Sequence, residues 1–296
     1  MTTWTNDNGQ NWAESFLPLD FPQARIMTYG YDAGVIRFWT NASRNRLRDH
    51  GKSLAASLND QRVTQEAKHR PIIFVAHSLG GLVCEQAFLL SRDDEDCKPI
   101  HESTRGIVFM GTPHGGSPHA GWASTLARWL NRFRSTNEDL LRTLRSESET
   151  LQQVEEDFQR VLRTAHRPPR IHCFYEAFSV TVTGKIVEDS SARLPGYSNY
   201  SIQANHMGMT KFRSHSDEGY QLVIGVLRRW TDAFTNDAQA ADQGEAQQTP
   251  REPERVEQAR QELTTFAPVF NNTGISSRNT VQGQNSGGGA ITLHFG

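Results

Sequence analysis

The segment PIIFVAHSLGG, residues 71–81, decides the fold class of this chain. Its first half is apolar and rich in β-branched and aromatic residues, which is typical of a strand buried on both faces. The next segment, LVCEQAFLL of residues 82–90, is apolar at helical spacing. The order is therefore strand, tight turn and helix, with Ser78 at the turn.

Two interpretations of Ser78 fit this order. As an ordinary N-cap, its side chain would accept a hydrogen bond from the first turn of the helix. In a nucleophile elbow, the serine lies at the apex of a strained turn that needs small residues two positions before and after it. Ala76 and Gly80 meet that need, although alanine departs mildly from the usual G-x-S-x-G pattern. The flanking strand and helix favour the elbow.

Length and composition bound the class of protein. The 296 residues are 36% hydrophobic and 22% charged, enough for one large domain with appendages. A net charge of -2, with acidic and basic residues in balance, gives no electrostatic case for binding nucleic acid. No apolar run reaches the ~18–20 residues of a transmembrane segment, and the N-terminus is polar, unlike a signal peptide. Because the cysteines are few and far apart, we expect a cytoplasmic protein.

Predicted strands and helices alternate along residues 1–234, which indicates an α/β domain with a mostly parallel, doubly wound sheet. Residues 235–262 are rich in Gln, Ala, Pro and charge and are predicted to be a polar linker. Residues 263–296 are predicted to be a disordered, low-complexity tail. The predicted strands are residues 25–30, 72–75, 106–110, 170–174 and 180–187, and the predicted helices are residues 43–66, 82–90, 119–165 and 217–234.

A nucleophilic serine needs a base to take its proton and a carboxylate to hold that base. When the elbow serine comes first in the chain, the acid follows a late strand and the histidine lies in a loop before the last helix. Glu188 and Asp189 end the predicted strand GKIV, and either can be the acid. His206 lies in the loop before the last helix and is the candidate base. His172 precedes these acids and His215 is close to the last helix, so both fit less well.

Three more residues are predicted to line the pocket or the oxyanion hole: His77, Leu79 and His114. Leu79 follows the nucleophile, so its backbone N–H is a predicted oxyanion donor. His114 lies in the loop GTPHGGS at the predicted pocket rim. It precedes any plausible acid in the chain, so we expect it to shape the loop rather than act as the base. No metal or organic cofactor is implied.

Five motifs in order carry a resemblance to a known family: LPLDFPQARIMTYGYDA, PIIFVAHSLGGLVCEQA, GIVFMGTPHGGS, KIVEDSSARLPG and ANHMGMTKF. Together they resemble the serine esterase group related to lipases and to GPI inositol-deacylase, which includes domains that open some fungal NLR-type immune receptors. The match covers about residues 10–235. The resemblance implies an α/β-hydrolase fold, Ser78 as nucleophile, His206 as base, an acid in the Glu188–Asp189 pair, and acyl-ester or lipid substrates.

The resemblance also implies a missing element. Members of the family carry a strand and an HGLGG-like loop before the segment that resembles Thr3-Trp4-Thr5, and this sequence begins after it. We therefore expect the sequence to start at an internal methionine of a longer chain. As written, the sheet should have a gap between the RIMTYG strand and the elbow strand, with an unpaired edge prone to aggregation. Poor solubility and little hydrolysis are the expected consequences.

The C-terminal tail carries a β pattern of its own. In AITLHF, Ile291, Leu293 and Phe295 alternate with polar residues, as in a strand with one apolar face. Residues 280–282 form a second short β segment, and three glycines between the two permit a reversal. The tail also resembles prion-like signalling motifs that couple fungal NLR-type receptors to separate effectors. That resemblance implies an NLR-type receptor partner through residues 263–296, and stacked copies would self-assemble.

Two functions are consistent with these features. The first is a serine esterase or lipase-like hydrolase that acts on carboxylic esters in a fungal immune or incompatibility-type signalling context, with peripheral membrane contact through its lipid substrate. The alternative is a catalytically impaired hydrolase-like scaffold that works through its amyloid-like tail. The Ser-His-acid residues favour the first, and the missing loop and the tail favour the second.

Overall fold

The computed structural model describes residues 3–30, 44–114, 138–178, 192–246 and 289–294. The predicted strand of residues 180–187, the acids Glu188 and Asp189, and the β segment of residues 280–282 lie outside the described residues. The described strands are β1 (Arg25–Gly30), β2 (Ile72–His77), β3 (Thr104–Met110), β4 (Arg170–Glu176), β5 (Ser198–Ile202) and β6 (Gly289–His294). The described helices are α1 (Trp12–Ser15), α2 (Leu17–Asp20), α3 (Arg44–Asp60), α4 (Gln65–His69), α5 (Leu79–Asp93), α6 (Lys98–Ser103), α7 (Glu138–Thr164) and α8 (Glu218–Ala246).

The strands form one sheet of order β1-β6-β2-β3-β4-β5. Pairing is parallel from β2 to β5, so the prediction of an α/β fold with a mostly parallel sheet is confirmed for these four strands. β2 is buried along its whole length, as its unbroken apolar sequence predicts. The carboxyl ends of β2, β3, β4 and β5 therefore meet at one edge, where ligands bind in open parallel sheets.

Helices pack against both faces of this sheet. On one face, side chains of α3, α5 and α7 join alternate residues of β2 and β3 in a single apolar cluster. On the other face, a Cβ on Gly106 of β3 would come within 2.5 Å of the Trp230 ring of α8. The glycine is what allows helix and strand to approach so closely. The contacts divide the chain into two units. The first comprises residues 1–231 and 284–296, and the second comprises residues 232–283. In the second unit the structure describes residues 232–246, which are helical.

The C-terminal strand β6 lies between β1 and β2 and is antiparallel to both. The alternating pattern of the tail predicted a strand here, and the structure has one. The prediction of an open gap between the RIMTYG strand and the elbow strand is wrong, because β6 fills that position. The physical reason is that two facing strands with unpaired edges offer backbone partners to any extended segment within reach.

Candidate active site

Ser78 lies at a strained turn between β2 and α5. Its φ and ψ are 56° and -131°, and it is the one non-glycine residue with positive φ among the described residues. Such a conformation costs about 1–3 kcal/mol. The backbone pins it, since the Ser78 N–H donates to the Met110 carbonyl at 2.9 Å. Its side chain makes no cap hydrogen bond to α5, so the N-cap interpretation is wrong.

The Ser78 hydroxyl faces an imidazole instead. Its Oγ is 3.1 Å from Nε2 of His206, and the exposed fractions of the two residues are 6% and 1%. His206 follows β5 in a tight turn, in which the Asn205 side chain accepts the Gly208 N–H at 2.9 Å. The structure thus brings together the serine and the histidine that the sequence singled out, although they are 128 residues apart.

Glu176 is the carboxylate that the structure places against His206. Its Oε2 is 3.5 Å from the imidazole Nδ1, and its exposed fraction is 1%. This separation is long for a hydrogen bond, but such contacts in unliganded enzymes often tighten when substrate binds. A carboxylate on this side favours the tautomer with the proton on Nδ1, which leaves Nε2 to accept the Ser78 hydroxyl proton.

Sequence reasoning missed Glu176. The predicted strand stopped at Phe174, so Glu176 fell in the turn-like segment EAFS, whereas β4 continues to Glu176. The available signal was its place at the end of a buried strand, because the ends of parallel strands share the sheet edge that holds Ser78. The predicted acids Glu188 and Asp189 lie outside the described residues, so the structure gives no position for either.

His77 contacts the loop that carries His206. Its Nε2 is 3.0 Å from the His206 carbonyl oxygen, and its ring is 4.8 Å from the His206 ring, centre to centre. Burial, together with the neighbouring His206, lowers the pKa of His77 to about 3. The ring is therefore neutral at physiological pH and donates its Nε2 proton to that carbonyl.

The N-terminal segment also holds the histidine loop. Its hydrogen bonds to the residues just after His206 end on main-chain carbonyl oxygens. They therefore fix the backbone path of the loop. The Trp12 indole donates to the Thr210 carbonyl at 2.8 Å, the Thr210 hydroxyl donates to the Thr3 carbonyl at 2.9 Å, and the Asn6 amide donates to the Phe212 carbonyl at 3.1 Å.

Leu79 is the first residue of α5, so its N–H has no carbonyl within the helix to receive it. It lies where the helix dipole is positive, next to the Ser78 hydroxyl in sequence. The Leu79 N–H is thus suited to stabilise an oxyanion on a carbonyl group whose carbon the Ser78 oxygen attacks.

His114, predicted at the pocket rim, has its side chain in the interior of the domain. Its side chain is fully buried, its Nδ1 is 3.2 Å from Glu85 Oε1 of α5, and its ring packs edge-on against Phe109. The physical reason is that Glu85 is also fully buried and needs a partner. Burial raises the pKa of Glu85, and the hydrogen bond and charge of His114 act in the opposite direction.

The described residues contain no group of three or more His, Cys, Asp and Glu side chains placed to hold a metal ion. No helix in the described ranges is long and apolar enough to cross a membrane.

An elbow serine, an imidazole and a carboxylate at the carboxyl edge of a parallel sheet are the arrangement that Ser-His-acid hydrolases use. In sequence, the chain is similar to Protein SERAC1. It is 27% identical to the Bos taurus protein over 233 residues, which is 76% of this chain and 33% of that protein. It is 27% identical to the Homo sapiens protein over 224 residues, 73% of this chain and 32% of that one.

A shorter match, to Protein SERAC1 of Danio rerio, is 31% identical over 115 residues, 38% of this chain and 17% of that protein. This chain thus spans at most about a third of the length of these curated relatives. No known protein-family model matches the chain.

Proposed function

We propose that this protein hydrolyses carboxylic esters through Ser78, His206 and Glu176. The observation that carries the proposal is the contact of 3.1 Å between Ser78 Oγ and His206 Nε2, at a serine held in an elbow conformation. A serine hydroxyl is a weak nucleophile alone, and a base at this distance makes it reactive. Glu176, on the other nitrogen of the ring, stabilises the imidazolium that forms.

The reaction has two halves. His206 takes the Ser78 proton while Oγ attacks the acyl carbon, and the carbonyl oxygen of the ester becomes an oxyanion next to the Leu79 N–H. The imidazolium then gives its proton to the leaving alcohol, and an acyl group remains on Ser78. In the second half, His206 takes a proton from water, the hydroxide attacks the acyl carbon, and Ser78 regains its proton as the carboxylic acid leaves.

The substrate class rests on the sequence motifs. Their resemblance to lipase-related serine esterases favours an acyl or lipid ester. An immune-type signalling context belongs to the same proposal. Glu176 takes the role first assigned to Glu188 or Asp189, because it is the carboxylate with a described contact to His206.

A fluorophosphonate probe tests the proposal directly, since it reacts with serines that a neighbouring base activates. The wild-type chain should be labelled, and Ser78→Ala should abolish labelling and reduce ester turnover by at least about a thousandfold. The matched control is Ser91→Ala in α5, the helix that follows Ser78, where the buried hydroxyl donates to the Phe88 carbonyl at 3.1 Å. Labelling that survives Ser78→Ala, or disappears in Ser91→Ala with the fold intact, contradicts the proposal.

The second candidate function is a scaffold that couples to an NLR-type receptor through residues 263–296. The composition of the tail supports it. In the structure, however, β6 is paired on both sides within the sheet. Coupling through stacked tails therefore requires that β6 first leave the sheet, because a strand forms only one pairing on each edge.

A further inference from the structure

The strand β6 pairs with β1 over its full length and with β2 over all of its residues but Gly289. Facing β1, the register runs from Gly289 opposite Gly30 to His294 opposite Arg25. Facing β2, it runs from Ala290 opposite Ala76 to His294 opposite Ile72. We call the position between β1 and β2 the strand slot. A strand in this slot satisfies backbone groups that would otherwise form two unpaired edges.

The slot is in the interior of the sheet, so leaving it empty is costly. β2 is fully buried along Ile72–His77, and burying a backbone N–H or C=O without a partner costs about 1–3 kcal/mol for each group. The same strand leads directly to Ser78. Occupancy of the slot therefore supports the strand that carries the candidate nucleophile.

The sequence of β6 is less typical of a strand in the interior of a sheet than the sequence of β2 is. β2 is an unbroken apolar run, as a strand buried on both faces requires, whereas the sequence of β6 includes Gly289, Thr292 and His294. β6 also runs antiparallel to both neighbours, in a sheet that is otherwise parallel. In sequence, β6 follows every other described strand.

We propose that the strand slot is a strand-binding site for the C-terminal segment Gly289–His294, which fills it from its own chain in dilute solution and from a second copy when copies are concentrated. Both arrangements make the same backbone pairings, so only concentration decides between them. Because β6 belongs to the same chain as the slot, its effective concentration there is about millimolar when the connecting segment has a suitable length. The 42 residues 247–288 can extend to about 140 Å at most, a length that also reaches a neighbouring copy.

Cysteine cross-linking across the register tests both parts of the proposal. Thr28 faces Ile291 across the β1–β6 pair. Facing Cα atoms in antiparallel strands are about 4.5–5.5 Å apart, which suits a disulfide. The native cysteines are free and buried, so they add little background. In the double variant Thr28→Cys/Ile291→Cys, oxidation at about 10 μM should give an intramolecular bond in a monomer.

Exchange is measured by mixing the two single variants, Thr28→Cys and Ile291→Cys, and identifying the linked peptides by mass spectrometry. The mixed disulfide should be at least about fivefold more abundant at 1 mM than at about 10 μM. The matched control replaces Ile291→Cys with Thr292→Cys, whose partner in the backbone register is Met27, so it should not link to position 28.

Two results would overturn the proposal. If the double variant forms no more intramolecular bond than the Thr28→Cys/Thr292→Cys control, β6 does not occupy the slot. If that bond forms but the mixed single variants link no better than their control at the higher concentration, exchange between copies is wrong. Neither test depends on ester hydrolysis, so the proposed function can fail while this inference stands.

A peptide competition gives an independent readout. A labelled peptide of residues 287–296 should bind the Ile291→Pro chain at least about tenfold more tightly than the wild-type chain, because proline weakens the strand that competes from within. The control chain is Ser286→Pro, in which the proline precedes the strand. Equal binding to all three chains would contradict a slot that the chain's own strand fills.

Discussion

The substitution Glu176→Gln removes the carboxylate charge beside His206 and keeps the shape of the side chain. At an effective dielectric constant of about 20, unit charges at the observed separation of 3.5 Å attract each other by about 5 kcal/mol. That attraction stabilises the imidazolium in the transition state, and each 1.36 kcal/mol corresponds to a factor of about ten in rate. The expected loss in kcat is therefore about three orders of magnitude, with little change in KM.

The assay is steady-state hydrolysis of a p-nitrophenyl ester, with thermal unfolding as a check that the variant folds. The matched controls are Glu188→Gln and Asp189→Asn, which remove the two acids that the sequence pattern favoured. Both should retain kcat within about tenfold of wild type. If Glu176→Gln stays within that range while either control loses about a thousandfold, Glu176 is not the acid and the original assignment stands.

Three further predictions concern the support of the site. Gly111 has a φ of 58°, and a Cβ there would be 3.0 Å from the His206 ring. Because the added methyl group would strain the backbone and displace the ring, Gly111→Ala should reduce kcat by at least about tenfold in the same assay. A Cβ on Gly81 would lie 2.2 Å from the Thr112 hydroxyl oxygen. Gly81→Ala should cost about 1–3 kcal/mol in chemical denaturation, and adding Thr112→Ala should restore part of that stability. For His77, the folded pKa of about 3 lies below the ordinary value of 6.5, so the unfolded chain binds the proton first. Stability should therefore fall as the pH drops from 6.5 toward 3, and His77→Gln should flatten that part of the profile; an unchanged profile would contradict the assignment.

Local sequence patterns predicted the elbow at Ser78 correctly. Features that depend on contacts between distant parts of the chain were harder to predict. A buried strand, a turn with small neighbours and an apolar helix lie within residues 71–90, so the position of Ser78 follows from nearby residues alone. The position of His206 followed from chain order. The predicted helix of residues 43–66 is instead α3 and α4, because the Thr64 side chain accepts the Ala67 N–H at 3.1 Å and starts a new helix.

Glu176 and β6 show where sequence reasoning stops. Extending β4 by two residues moves Glu176 from a turn to the sheet edge, and strand ends are not fixed by local preference. The alternation in the tail predicted a strand at Ile291 but not its partners. Pairing of β6 with β1 and β2 depends on which edges remain unpaired once the rest of the sheet has formed, and periodicity carries no information about that.

The central claim is that Ser78 carries the acyl group during turnover. Rapid acid quenching after the wild-type chain meets an activated ester, followed by peptide mass spectrometry, measures this directly. We expect an acyl adduct on the peptide that contains Ser78, formed within the first turnover and absent from Ser78→Ala. Turnover without any adduct, or an adduct on another residue that persists in Ser78→Ala, would contradict it.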